Sequence, residues 1–182
     1  MRLFAEKGYQ RTTVGEIQEA AGLTFGSGAL YKHFPSKQAV LAEGVERFVE
    51  SARAERGMLG ALDQKSFAEA LTSIAEAAML GFERDRDALC IAWRDLESFP
   101  DLQEKVRTER IRATFDDFSE WLQGQADSER VLPHDSQAVA AVALSSLAFF
   151  QILKFLMHDT PAGIDEDRFV CAWTQTIAAA LS

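Results

Sequence analysis

Leu30-Tyr31-Lys32-His33-Phe34-Pro35-Ser36-Lys37 is the stretch whose reading decides the fold. It sets an aromatic residue and basic side chains directly behind the glycine-rich Gly26-Ser27-Gly28, and it carries Ser36, a residue suited to cap a new helix. Toward the N-terminus, Thr13 and Glu16 stand at the S/T-x-x-E spacing of a capping box, which predicts a short helix opening near Val14. Val14, Ile17 and Ala21 form its apolar stripe, and Gly22 can take the left-handed conformation that stops it. Helix, glycine turn, helix is a DNA-binding supersecondary pattern.

Four blocks occur in order: Leu3-Phe4-Ala5-Glu6-Lys7-Gly8-Tyr9, Thr12-Thr13-Val14, Ala20-Ala21-Gly22 and Leu30 to Lys37. Together they resemble the N-terminal domain of the TetR family of one-component transcription regulators, over residues 3 to 41. The resemblance implies an all-α chain of about nine helices. A helix-turn-helix trihelical DNA-binding domain would occupy residues 1–47, and a helical ligand-binding and dimerisation domain residues 48–182. Two features depart from the family pattern. Gly22 and Tyr31 are nine residues apart, longer than the usual spacing, and the first helix would start almost at Met1 instead of well before Leu3.

In a domain of this kind Ser27, Gly28 and Ala29 would approach base edges with amides and short side chains. Tyr31, Lys32, His33 and Lys37 would hold phosphates, as would Thr13 and the amide ends of helices. Leu30 and Phe34 read as core. A cation at Lys37 is poorly placed for the dipole of a helix starting there, and a phosphate between it and the amides would explain it.

The net charge of −9 argues at first against nucleic acid, but it is unevenly distributed. Residues 1–47 hold six Lys/Arg and five Asp/Glu, and the remainder holds 13 and 23, so the acidity belongs to the second domain. Its field predicts moderate DNA affinity with steep salt dependence. Ser145, Ser146, Gln151 and Lys154 interrupt the apolar stretch 138–157, so no membrane span is expected, and the chain reads as cytoplasmic. Cys90 and Cys171 lack C-x-x-C spacing and read as free thiols.

Helical periods recur through the rest of the chain, and no strand pattern competes with them. Leu41, Val45, Phe48 and Ala52 predict a long helix running out of the first domain toward Arg56. Further helices are expected near 64–84, 87–97, 101–124, 136–158 and 165–181. The penultimate one is apolar almost all round, which predicts burial on every side. One side would meet the chain's own core. The other, with Phe149 and Leu153, would join Phe169, Trp173 and Ile177 of the last helix in a four-helix bundle with a second copy. The resemblance implies the same homodimer, whose two-fold axis suits a palindromic operator.

The resemblance also implies a cavity among the middle helices, lined by Met79, Phe82, Trp93, Phe115 and Phe118, for a small apolar or aromatic inducer. Catalysis finds no support. His33, His134 and His158 are never paired at i, i+4, and no Cys/His cluster suggests a metal. Gly26-Ser27-Gly28 lacks both the third glycine of a dinucleotide loop and the lysine of a phosphate loop, so no cofactor is expected. The expectation is therefore a ligand-responsive DNA-binding repressor. The rival is a helical ligand-binding or scaffolding dimer that no longer binds DNA.

Overall fold

The structure, a computed structural model, describes residues 1–24 and 28–182, and every regular element among them is helical. The α-helices are α1 (Arg2–Lys7), α2 (Val14–Ala20), α3 (Lys37–Arg56), α4 (Phe67–Arg84), α5 (Arg86–Arg94), α6 (Pro100–Lys105), α7 (Ala113–Asp127), α8 (Ser136–Met157) and α9 (Glu166–Ala180). A π-helical stretch, Val106–Arg112, joins α6 to α7. By internal packing the chain divides into two units. The N-terminal unit is Met1–Glu50 with Asp85–Arg110; the C-terminal unit is Ser51–Arg84 with Ile111–Ser182.

In the N-terminal unit Phe4, Leu41, Val45, Phe48, Ile91, Leu96 and Val106 form one buried apolar cluster. The capping box of α2 is complete. Thr13 Oγ1 accepts from the Glu16 amide at 3.2 Å, and Glu16 Oε2 accepts from the Thr13 amide at 2.8 Å. Gly22 has φ 68°, the left-handed conformation that a Cβ would penalise. Ser36 Oγ caps α3 by accepting from the Ala39 amide at 3.0 Å. The helix expected at the reading position is different: Ala29–Lys32 is a single 3₁₀ turn. Gly28 enters it at φ 64°, and Pro35 disfavours helical backbone at Phe34, so little chain is left for more than one turn.

The C-terminal unit is built on α4, α7, α8 and α9, with α8 against α7 and α4, and α9 against α4. Leu71, Ala75, Met79, Phe118, Leu122, Leu147, Phe150 and Trp173 are among its buried residues. Ser66 and Glu69 make a second capping box, while Asp135 and Asp165 cap α8 and α9. Within the chain α8 is buried along one side, the side expected to meet the chain's own core. Ala140, Ala143, Leu147, Phe150 and Gln151 face the core, but Val142 is 67% and Phe149 59% exposed. Its neighbours cover one side only. Ser136–Phe155 has a mean hydropathy of 1.8 and enough length to cross a membrane, yet its buried side chains belong to the core of this unit.

Candidate nucleic-acid interface and ligand cleft

The proposed reading elements lie together at one part of the N-terminal unit, where α2 packs against the turn Ala29–Lys32. Ser27 lies outside the described residues. Gly28 and Ala29 are partly buried at the start of the turn, and Leu30 is buried beneath it. Tyr31, 55% exposed, is followed by exposed Lys32 and His33. At about three residues per 3₁₀ turn, these three side chains fan out around the axis and do not share one face. Thr13 is exposed, but its hydroxyl is already engaged: it donates to Glu16 Oε2 at 2.9 Å and accepts the Glu16 amide. Lys7 Nζ adds a 2.6 Å ion pair to the same carboxylate. The bond from Lys7, then those from Thr13, hold the Glu16 carboxyl at about 2, well below the usual range.

Lys37 points inward. Its Nζ donates to the carbonyls of Tyr9 and Thr12, both at 2.9 Å, and lies 4.2 Å from the centre of the Tyr9 ring. Tyr9 in turn packs edge-on against Phe99. The lysine thus ties the start of α3 to the loop between α1 and α2, a role its sequence position did not suggest. Two arginines that no sequence motif singles out hold the same unit. Arg94 donates to the carbonyls of Phe4 and Ala5 at 2.5 and 2.8 Å, satisfying the C-terminal end of α1. Arg110, 9% exposed, donates to Phe48 O, pairs with Asp85 Oδ2 at 3.1 Å and stacks on the Phe48 ring.

The C-terminal unit contains a cleft of about 250 Å³. Leu59, Leu62, Ile74, Ala78, Phe118 and Leu144 supply its apolar lining, and Glu55, Arg56, Lys65, Ser73 and Thr114 its polar groups. Of the five residues expected around a cavity, Phe118 alone is found here. Met79 is buried in the core with its Sδ 2.7 Å from Gln151 Nε2, and Phe82 packs against that core. Phe115 is half-buried on α7 and does not line the cleft. Trp93 is 73% exposed on α5, in the N-terminal unit. There Ala88, Ile91 and Ala92 share the inward face, which turns Trp93 out.

Residues 1–43 match the model of the bacterial regulatory proteins of the tetR family. Over these residues the chain is similar to that family. It is 35% identical over 79 residues to the HTH-type transcriptional repressor KstR2 of Rhodococcus jostii strain RHA1, a match covering 42% of this chain and 38% of that repressor. The chain therefore spans well under half the length of that curated relative. The TetR-family regulator PfmR from Thermus thermophilus has the same fold, with a TM-score of 0.74 at 23% identity over 98% of this chain and 93% of that one. The fatty acid degradation regulator FadR from Bacillus halodurans aligns with a TM-score of 0.73 at 16% identity, over 99% and 91% of the two chains.

The residues expected at a TetR-type dimer contact separate into two groups. Phe149 is exposed and Leu153 half-buried on α8, so both are available at least in part. Trp173 and Ile177 are buried, and Phe169 stacks on Phe150 with ring centres 4.1 Å apart. Trp173 Nε1 donates to Ala143 O at 3.0 Å and Ser146 Oγ at 3.1 Å. Val170, Trp173, Thr174 and Ile177 form the one buried face of α9, continued by Leu181 just beyond its end, and it is used within the chain.

Proposed function

We propose that this chain is a ligand-responsive DNA-binding regulator, a repressor that acts as a cytoplasmic homodimer on a palindromic operator and has no catalytic activity. The family match over residues 1–43 carries this reading. The complete capping box of α2 and the exposed Tyr31-Lys32-His33 support it. Tyr31, Lys32 and His33 contact phosphates, and Gly28 and Ala29 lie nearest the bases. The open face of α8 around Val142 and Phe149 meets its counterpart in the second copy. Phe149→Glu is expected to give folded monomers by light scattering; a dimer that survives it would place the contact elsewhere.

The cleft holds the inducer. A small apolar molecule or a fatty-acid-like chain suits its lining, and the name of the Bacillus halodurans relative supports the second. The α3 helix runs from the reading unit to Arg56, which itself borders the cleft, so a ligand seated there acts on that helix. Coupling of this kind is typically worth about 1–3 kcal/mol and is reciprocal: operator DNA weakens the ligand by the same factor.

The 3₁₀ turn at the reading position favours a second reading, a helical ligand-binding or scaffolding dimer that does not bind DNA. Fluorescence anisotropy with the DNA upstream of the chain's own gene separates the two. Saturable binding that weakens steeply with salt supports the regulator. Binding no tighter than to unrelated DNA supports the scaffold.

A further inference from the structure

The polar wall of the cleft holds a cation with capacity to spare. Lys65 Nζ donates to Ser73 Oγ at 2.7 Å, and both residues line the cleft. Ser73 donates its own proton to Glu69 O at 3.0 Å, so toward Lys65 it acts as an acceptor. An ammonium has three donors, and this neutral oxygen is the one hydrogen-bond partner of Nζ among the described residues. The Glu69 carboxylate lies close enough to feel the Lys65 charge, but it makes no hydrogen bond to Nζ; its Oε2 accepts from the Ser66 amide at 3.0 Å and hydroxyl at 2.6 Å. The remaining charged groups of the cleft are answered: Arg56 Nε meets Asp117 at 2.5 Å, and Glu55 Oε1 meets Arg84 at 2.6 Å.

The same cleft is lined by the apolar side chains of Leu62, Ile74, Ala78, Phe118 and Leu144. The volume lies below the usual range for ligand pockets of about 300–1,000 Å³. At about 30 Å³ for each water-sized group, it accommodates roughly eight such groups. We infer that the cleft selects a small amphipathic monoanion of about eight carbons in all, its carboxylate on Lys65 and its apolar body beyond it. The inference rests on the reading of this cleft as the inducer site, and adds to it a charge requirement and a size limit.

Calorimetric titration of the full chain with octanoate, then with 1-octanol, tests the inference without DNA. Octanoate is expected to bind one to one, about tenfold tighter than octanol, the scale of hydrogen bonds to a charged group. Lys65→Met should remove that preference and leave octanol affinity unchanged. Lys65 is exposed, so circular dichroism should show an intact fold. Ala78→Trp, which fills the cleft, should abolish both. Equal affinities in the unsubstituted chain, a preference that survives Lys65→Met, or no saturable binding of octanoate overturns the inference. Lys65-dependent octanoate binding with unchanged operator affinity keeps the inference and overturns the regulator. Operator release by some other ligand, in a chain blind to octanoate, does the reverse.

Discussion

The two units solve the same problem, holding helices at fixed angles, by different means. The C-terminal unit does it with apolar area. Its core joins α4, α7, α8 and α9, Phe67 and Phe118 both stack on Trp121, and Phe150 stacks on Phe169. The N-terminal unit has a smaller apolar cluster, and cations directed at backbone carbonyls supplement it: Lys37 on Tyr9 and Thr12, Arg94 on Phe4 and Ala5, Arg110 on Phe48. Small domains bury a smaller fraction of their surface, so each directional bond counts for more. Burial has no preferred direction, whereas a hydrogen bond does. The 3₁₀ turn proposed to read DNA depends on close placement of short segments, and directional ties provide it.

Four substitutions test this contrast, in descending order of effect. Trp173→Ala removes a buried indole and its two hydrogen bonds, and should destabilise the C-terminal unit by about 3–5 kcal/mol in chemical denaturation. Arg110→Ala removes the ion pair with Asp85, the bond to Phe48 O and the stacking on the Phe48 ring in a shielded site, and should cost the N-terminal unit about 3 kcal/mol, read as faster amide hydrogen exchange in its helices. A loss as small as that of an exposed arginine would show that apolar packing alone holds this unit.

Lys37→Met comes next, at about 1–2 kcal/mol. Because its ammonium is turned to two carbonyls, DNA affinity should fall while the salt slope stays unchanged. A slope reduced by about 0.9 would instead assign Lys37 to a phosphate. The smallest effect belongs to Glu16. Its folded carboxyl titrates at about 2, below the unfolded value, so its stabilising effect is present above the ordinary carboxylate pKa and is lost as pH falls toward 2. Glu16→Gln should flatten that acid limb of the thermal-stability profile. An unchanged limb would mean that the pairing with Lys7 and Thr13 adds nothing measurable.

Local signals are legible in the chain. The Thr13–Glu16 box and the Ser36 cap each join residues three apart, and the helical periods follow a repeat that any helix imposes on its own neighbours. The failures are of another kind. Trp93 stands with Cys90 and Leu96 in sequence, but α5 ends at Arg94, so that stripe does not continue as one helical face. The pattern of the last helix puts Trp173 in a contact between copies, because periodicity shows that a face is apolar without showing which surface covers it. Residues 85–110 follow the first domain's apparent boundary in sequence, and yet they pack with that first domain and not the second. Arg110 does leave a trace: it follows Val106 by four residues, a charge in line with a core position, as a buried arginine with a waiting partner would be.

By itself the sequence determined the all-helical class, the helix starts, the glycine turn and the family resemblance over residues 3 to 41, since these depend on neighbours a few positions away. Tertiary structure decided which lysine faces inward, which arginines brace the N-terminal unit, and that Phe118 lines the cleft while Trp93 does not. Arg110 reaches Phe48 across 62 positions and Arg94 reaches Phe4 across 90. Such partners are brought together only when the chain has folded, and no local period encodes them.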